Sequence, residues 1–217
     1  MKVKRARLAA AKPKVRLGRR FRRAFLFAAE KHNGQTRKAS TIPYIAHLMG
    51  VASLVLEFGG NEDMAIAALL HDVVEDCGGA QMLTEVRRKF GPRVARMVEG
   101  CTDSFTEPKL PWRERKETYL RHLKSANVDT RLVSAADKLN NVRSILSDYR
   151  NVGESIWKRF NGGREGTLWY YRSLVDEFLQ RKPNRLIHEL ELAVRELEVK
   201  ACPGGSGEGD GCRAPSI

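Results

Sequence analysis

The sequence is poor in the features that mark secreted, membrane-spanning or β-rich proteins. Its 217 residues hold only four cysteines, Cys77, Cys101, Cys202 and Cys212, and none form a C-x-x-C pair. That pattern argues against a disulfide framework or a cysteine zinc site and suits free thiols in a reducing compartment. No apolar run approaches the roughly 20 residues of a membrane span, and the start lacks a signal-peptide pattern. The expectation is a soluble, cytoplasmic protein with no membrane partner. Strand-like alternation is scarce and no internal repeat occurs, which argues against sheet and solenoid architectures. Acidic residues are missing from positions 1–23, which carry eleven Lys and Arg.

The net charge of +13 therefore sits mostly on one arm, and the rest of the chain is close to neutral. Residues 1–20 are expected to form a basic flexible arm. Such an arm suits a solvated extension, contact with RNA, DNA or an acidic membrane surface, or a transit peptide. Residues 200–217, rich in Gly, Pro and Ser, are expected to be disordered, because they cannot bury enough apolar surface to fold. The intervening 21–199 is long enough for one domain with a sizeable core. Its pattern is helical almost throughout. Helices are expected over 21–32, after Pro43 up to Gly59-Gly60, and over 61–76 with Asn61 as N-cap. Two more are separated by Gly91-Pro92, and the last four cover 112–126, 129–150, 165–182 and 184–200. The fold class this predicts is an all-α bundle.

One stretch of this bundle is chemically odd. "LLHDVVEDCGG" (69–79) places His71, Asp72, Glu75 and Asp76 on an otherwise apolar helix. At about 100° per residue the four fall on one contiguous face, with Val73 and Val74 opposite. A divalent cation is one of few partners that suits two carboxylates and an imidazole together. His47, in "PYIAHLMGVA", and Asp137, in "VSAADKLNNVRS", are also embedded in apolar helical sequence, where a lone charge is expensive. His47, His71, Asp72 and Asp137 together offer two nitrogens and two oxygens. That set suits manganese, iron or cobalt, and zinc less specifically. Glu75, one turn beyond His71, would face the same cavity and could shuttle a proton between water and leaving group.

The order His47 … His71-Asp72 … Asp137 resembles the H … HD … D pattern of the HD-domain metal-dependent phosphohydrolases. "AAEKHNGQTRKASTIPYIAHLMGVA", "AALLHDVVED", "FGPRVARMVEGCTD" and "SAADKLNNVRSI" resemble the hydrolase domain of the RelA/SpoT homologues, whose stand-alone branch is the small alarmone hydrolases. The resemblance covers roughly residues 21–150. It implies an HD-domain helical bundle that removes the 3′-pyrophosphate from the guanosine nucleotides ppGpp or pppGpp by metal-activated water. It implies one divalent metal, manganese first, with zinc, iron or cobalt as the other options. Glu75 and Asp76 would be the acid/base pair. Arg37 would lie against the guanine base with Lys38 close by, and Asn141 and Ser144 would line the nucleotide pocket. Lys138 or Arg143 could help neutralise the diphosphate.

The sequence also departs from the family pattern. Leu48 follows His47 where the family usually has proline, one extra residue separates Arg37-Lys38 from Pro43-Tyr44, and Asn140 stands where His or Tyr is common. The alternatives are another HD-superfamily nucleotide phosphohydrolase, or a nucleic-acid-associated HD module using the basic arm. Too few residues follow position 150 for the synthetase domain of the bifunctional homologues, so hydrolysis alone is expected. Residues 151–199 read as extra helices, their aromatics serving either packing or a pocket wall that brings Arg159 or Arg164 to phosphates. Nothing in the sequence sets an oligomeric state.

Overall fold

The computed structural model describes residues 14–105 and 108–201. The basic arm up to Pro13 and the tail from Cys202 onward, expected to be flexible and disordered, lie outside the described residues. The described chain contains α1 (Arg19–Lys31), α2 (Ile45–Glu57), α3 (Glu62–Leu70), α4 (Val73–Cys77), α5 (Gly79–Phe90), α6 (Pro92–Cys101), α7 (Trp112–Ser125) and α8 (Val128–Val152). A 3-10 turn (Gly153–Arg159), α9 (Gly163–Leu179) and α10 (Arg185–Ala201) complete it. No strand occurs among the described residues, and one isolated bridge pairs Thr36 with Pro43. The all-α expectation therefore holds. No described helix is long and apolar enough to cross a membrane.

The bundle is organised around α3, whose residues Met64 to Leu70 are all buried. A helix apolar on every side must be surrounded, and α1, α2, α6 and α8 all pack on this one. Each buried Leu, Ile or Val contributes roughly 1.5–3 kcal/mol over its exposed state. The start of α3 is set locally. Gly59 takes φ 87°, ending α2 in the left-handed region that favours glycine. The Asn61 side chain then accepts a hydrogen bond from Met64 N at 3.1 Å, as expected of an N-cap.

The expected single helix over 61–76 is instead two. α3 ends at Leu70, His71 and Asp72 form a turn, and α4 restarts at Val73. His71 Nδ1 lies 2.8 Å from the Ala68 carbonyl, the group that a continuing helix would offer to the Asp72 N–H. Both residues keep near-helical dihedrals, −62°/−30° and −96°/−8°, so the chain breaks with little change of phase. The 25-residue α8 is the other organiser. It packs on α2, α3 and α6, and also on the 3-10 turn, α9 and α10.

Candidate metal centre and nucleotide cleft

Three segments far apart in sequence bring their polar groups to one point. α2 supplies His47, the α3–α4 turn supplies His71 and Asp72, and α8 supplies Asp137. His47, His71 and Asp137 are 4%, 1% and 5% exposed, so water does not compensate their polarity. His47 Nε2 lies 3.3 Å from His71 Nε2 and 3.3 Å from Asp137 Oδ1. His71 Nε2 lies 3.4 Å from Asp137 Oδ1 and 3.0 Å from Asp72 Oδ2, and Asp72 Oδ2 is 3.5 Å from His47 Nε2. Donor atoms about 2.1 Å from a common centre stand roughly 3.0 Å apart at right angles and roughly 3.4 Å apart at the tetrahedral angle. The observed spacings fit a group that can hold one divalent ion.

The outer nitrogens are fixed too. His47 Nδ1 lies 2.7 Å from Asn140 Oδ1, and His71 Nδ1 bonds the Ala68 carbonyl. Both partners are acceptors, so each Nδ1 carries hydrogen, and in the neutral ring each Nε2 presents its lone pair inward. Tyr44 donates to Asp72 Oδ2 at 2.6 Å, Lys138 donates to Asp137 Oδ2 at 2.7 Å, and the Asn141 amide donates to Asp137 Oδ1 at 2.6 Å. Burial opposes charge on Asp72 and Asp137, yet His71 beside the first and Lys138 beside the second hold both well below the usual carboxylate range. Burial likewise opposes charge on both imidazoles, and the two carboxylates outweigh it and raise them.

Glu75 and Asp76 sit beside this cluster on α4, in unlike surroundings. Glu75 accepts from Lys109 Nζ at 3.0 Å, with Arg115 NH1 at 3.9 Å. Its carboxyl is pushed up to about 7, first by burial and then by the negative charge of Asp103. Asp103 bonds Arg115 NH1 at 2.7 Å and also pairs with Lys116, which holds it at about 2 in spite of burial. Asp76 is exposed and accepts from Gln35 Nε2 at 2.9 Å. Although the residue as a whole is exposed, neighbouring side chains partly desolvate its carboxyl, and this, with the charge of Asp72, raises it.

A cleft of about 520 Å³ opens from His47 toward the C-terminal helices. Arg37, Lys38, Asn141 and Ser144 line it, together with Lys116, Lys138 and Arg159. Arg37 NH2 donates to Asn141 Oδ1 at 3.0 Å, so one asparagine joins Asp137 to the cleft arginine. Ser144 Oγ donates back to the Asn140 carbonyl. Arg143, by contrast, reaches Glu189 on the outer surface, and Arg164 is not among the cleft residues. The aromatics of 157–171 serve both purposes: Tyr170 and Tyr171 are buried in the core and also line the cleft with Phe160. Sequence reasoning assigned no role to Tyr44, Lys109, Asp103 or Arg115. Tyr44 and Asp103 fall inside the motif segments. Nothing in "EPKLPW" marks Lys109, whose partner is 34 residues away.

Comparison with known proteins agrees with this geometry. The HD domain family matches residues 24–168. The guanosine-3′,5′-bis(diphosphate) 3′-pyrophosphohydrolase MESH1 of Xenopus tropicalis is 43% identical over 122 residues, 55% of this chain and 65% of that protein. The human MESH1 aligns with the same identity and extent. A protein named guanosine-3′,5′-bis(diphosphate) 3′-pyrophosphohydrolase from Aquifex aeolicus is 38% identical over 126 residues, 57% of this chain and 17% of its own. This chain thus spans 65% of the length of the MESH1 relatives it matches. A solved structure described as a metazoan ortholog of SpoT that hydrolyzes ppGpp superposes with a TM-score of 0.69 at 26% identity, over 85% of this chain and 98% of that one. With the HD signature residues gathered at one buried point and two thirds of the sequence matched, the chain belongs to the HD domain family.

Proposed function

We propose that this chain is a metal-dependent phosphohydrolase that removes the 3′-pyrophosphate from ppGpp or pppGpp, with manganese as the cation. One observation carries the reading: two carboxyls, Glu75 and Asp76, adjoin a cage of three buried donors and the partly buried Asp72, which opens into a cleft lined by Arg37, Lys38, Lys116, Lys138 and Arg159. Five cations and one carboxylate, Asp148, line the cleft, and although Lys116 and Lys138 are paired behind it with Asp103 and Asp137, the lining suits a ligand with several phosphates. The names of the MESH1 relatives supply the nucleotide.

His47, His71, Asp72 and Asp137 would hold the cation, which when bound acidifies a water and offsets phosphate charge. The protein's own groups do the rest. Arg37, anchored by Asn141, presents a planar guanidinium suited to lie against a purine. Lys38, exposed beside Asn161, and Lys138 meet phosphate oxygens. Glu75, poised near neutrality, takes a proton from the attacking water and can return it to the leaving oxygen. Positioning and charge stabilisation account for most of the barrier lowering in phosphoryl transfer, which fits a site built chiefly from fixed cations.

The test is turnover of ppGpp with manganese, scored for pyrophosphate against orthophosphate. Wild type should release pyrophosphate. His71→Ala should lose both bound metal and turnover, whereas Glu75→Ala should keep the metal and lose about 100-fold or more in kcat. Orthophosphate as the sole product would favour a different nucleotide phosphohydrolase of the same family.

A further inference from the structure

His32 and Gln35 belong neither to the metal cage nor to the cleft lining, yet their side chains run in a line to Asp76. Backbone bonds pin the segment between α1 and α2, from Gln35 N to His32 O (3.0 Å), Tyr44 N to Gln35 O (2.9 Å) and Arg37 N to Ile42 O (2.8 Å). The main chain of Gln35 is engaged on both sides, so its side-chain amide is surplus to the turn. That amide spans two groups: Oε1 lies 2.6 Å from His32 Nδ1, and Nε2 lies 2.9 Å from Asp76 Oδ2. A carboxylate accepts only, so the NH2 group faces Asp76 and Oε1 accepts from a protonated Nδ1. The opposite amide orientation would set oxygen against oxygen.

His32 is 3% exposed, and its Nε2 is buried without a hydrogen-bond partner. A buried ring nitrogen left unpaired weakens a fold, so packing alone would favour an apolar ring. What the imidazole adds is its bond to Gln35. The ring also stacks on Tyr44, with centroids 5.1 Å apart and planes 22° apart, and the Tyr44 hydroxyl holds Asp72. Two stacked rings thus direct one bond to a cage carboxylate and, through Gln35, a second to the exposed carboxylate at the cage's edge.

We infer that His32 and Gln35 form a relay that fixes the Asp76 carboxylate beside the metal centre, which makes both of them positioning residues. The inference rests on the acid/base role proposed for Asp76. An exposed aspartate on the five-residue α4 would otherwise sample several rotamers. The relay holds it in one, through the bond from Gln35 Nε2 to Oδ2.

A double-mutant cycle tests this in the manganese-loaded enzyme. Gln35→Leu, close in shape but unable to bond, should lower kcat about 10–100-fold with KM and bound manganese unchanged, and should lower the melting temperature only modestly, because His32 Nδ1 loses its partner. In an Asp76→Asn background the same change should cost nothing further. Losses that multiply, or a rise in KM with kcat unchanged, would overturn the relay. A second readout needs no turnover: the Gln35 side-chain amide resonances in a 15N correlation spectrum should move in Asp76→Asn and in His32→Phe. Resonances indifferent to Asp76→Asn would also overturn it. Should His32→Phe fail to fold, the Asp76→Asn spectrum decides. A wild type that releases no pyrophosphate sinks the functional proposal, and the spectra then judge the relay by themselves.

Discussion

Glu75 and Asp76 are neighbours on one short helix, and their surroundings differ. Glu75 faces inward, where burial and the fixed negative charge of Asp103 keep its proton affinity near that of neutral solution. Asp103 can supply that charge because Lys116 and Arg115 hold it ionised. The sign follows directly. A raised carboxyl is protonated below about 7 and free above it, so a base at this position gives a rate that rises through that range. Replacing Asp103 by asparagine removes a neighbouring negative charge, so Glu75 should ionise more easily. The acid limb of the kcat/KM profile is expected to move to lower pH in Asp103→Asn, with bound metal unchanged because Asp103 lies outside the cage. A bound cation lowers the limb in both proteins, so the displacement between them is the quantity to read. An Asp103→Asn limb that stays in place, or moves up, would refute this origin of the shift.

The helices set how closely the site can be assembled, and α2 shows it at Gly50. An added Cβ there would stand 2.5 Å from Asn140 Nδ2 on α8. Asn140 is the residue that orients His47. Gly50→Ala should gain up to about 1 kcal/mol of helix propensity, and the Asn140 side chain can swing aside at little cost to stability. The price is orientation: His47 loses its Nδ1 partner, and metal affinity should fall about 10–100-fold with the melting temperature of the metal-free protein nearly unchanged. Metal titration beside thermal unfolding distinguishes this from a packing defect. Undiminished affinity would show that Asn140 is dispensable.

These particulars also mark what the sequence could disclose. The cluster of His47, His71 and Asp137 was legible because imidazoles and carboxylates inside apolar helical stretches need an explanation, and the boundaries of α7, α8 and α10 followed from periodicity. The α3–α4 break was not legible. His71 and Asp72 keep near-helical dihedrals, so the 61–76 pattern stays in phase across it. Asn140 read only as a departure from the family, since its partner His47 lies 93 residues away. The side-chain roles of Gln35 and Tyr44 depend equally on long-range contacts, to Asp76 and Asp72 respectively.

Across the whole molecule, α8 joins the metal centre to the C-terminal helices, and Arg131 is its principal tie. The side chain is buried, with NH1 donating to the Leu123 carbonyl at 2.9 Å and NH2 to the carbonyls of Glu177 and Phe178 at 2.9 and 3.1 Å. Those carbonyls end α7 and α9, so one guanidinium satisfies two helix C-termini where the backbone dipoles are negative. The buried Glu177 carboxylate lies 3.8 Å away as the compensating charge. Arg131→Met should therefore lose about 3–5 kcal/mol, because the Glu177 and Phe178 carbonyls and a buried carboxylate lose the guanidinium, and Leu123 O keeps only the Ala126 N–H. Lysine should rescue little, since a single ammonium cannot fork between two helices. Chemical denaturation with metal saturated in every sample reads the loss, and turnover by the folded fraction should be unchanged because Arg131 touches neither cage nor cleft. The double variant Arg131→Met/Glu177→Leu separates the causes. If the stranded carboxylate dominates, the double variant recovers stability over Arg131→Met. If the helix-end carbonyls dominate, the second substitution returns nothing, and the role of Arg131 is to close α7 and α9 onto α8.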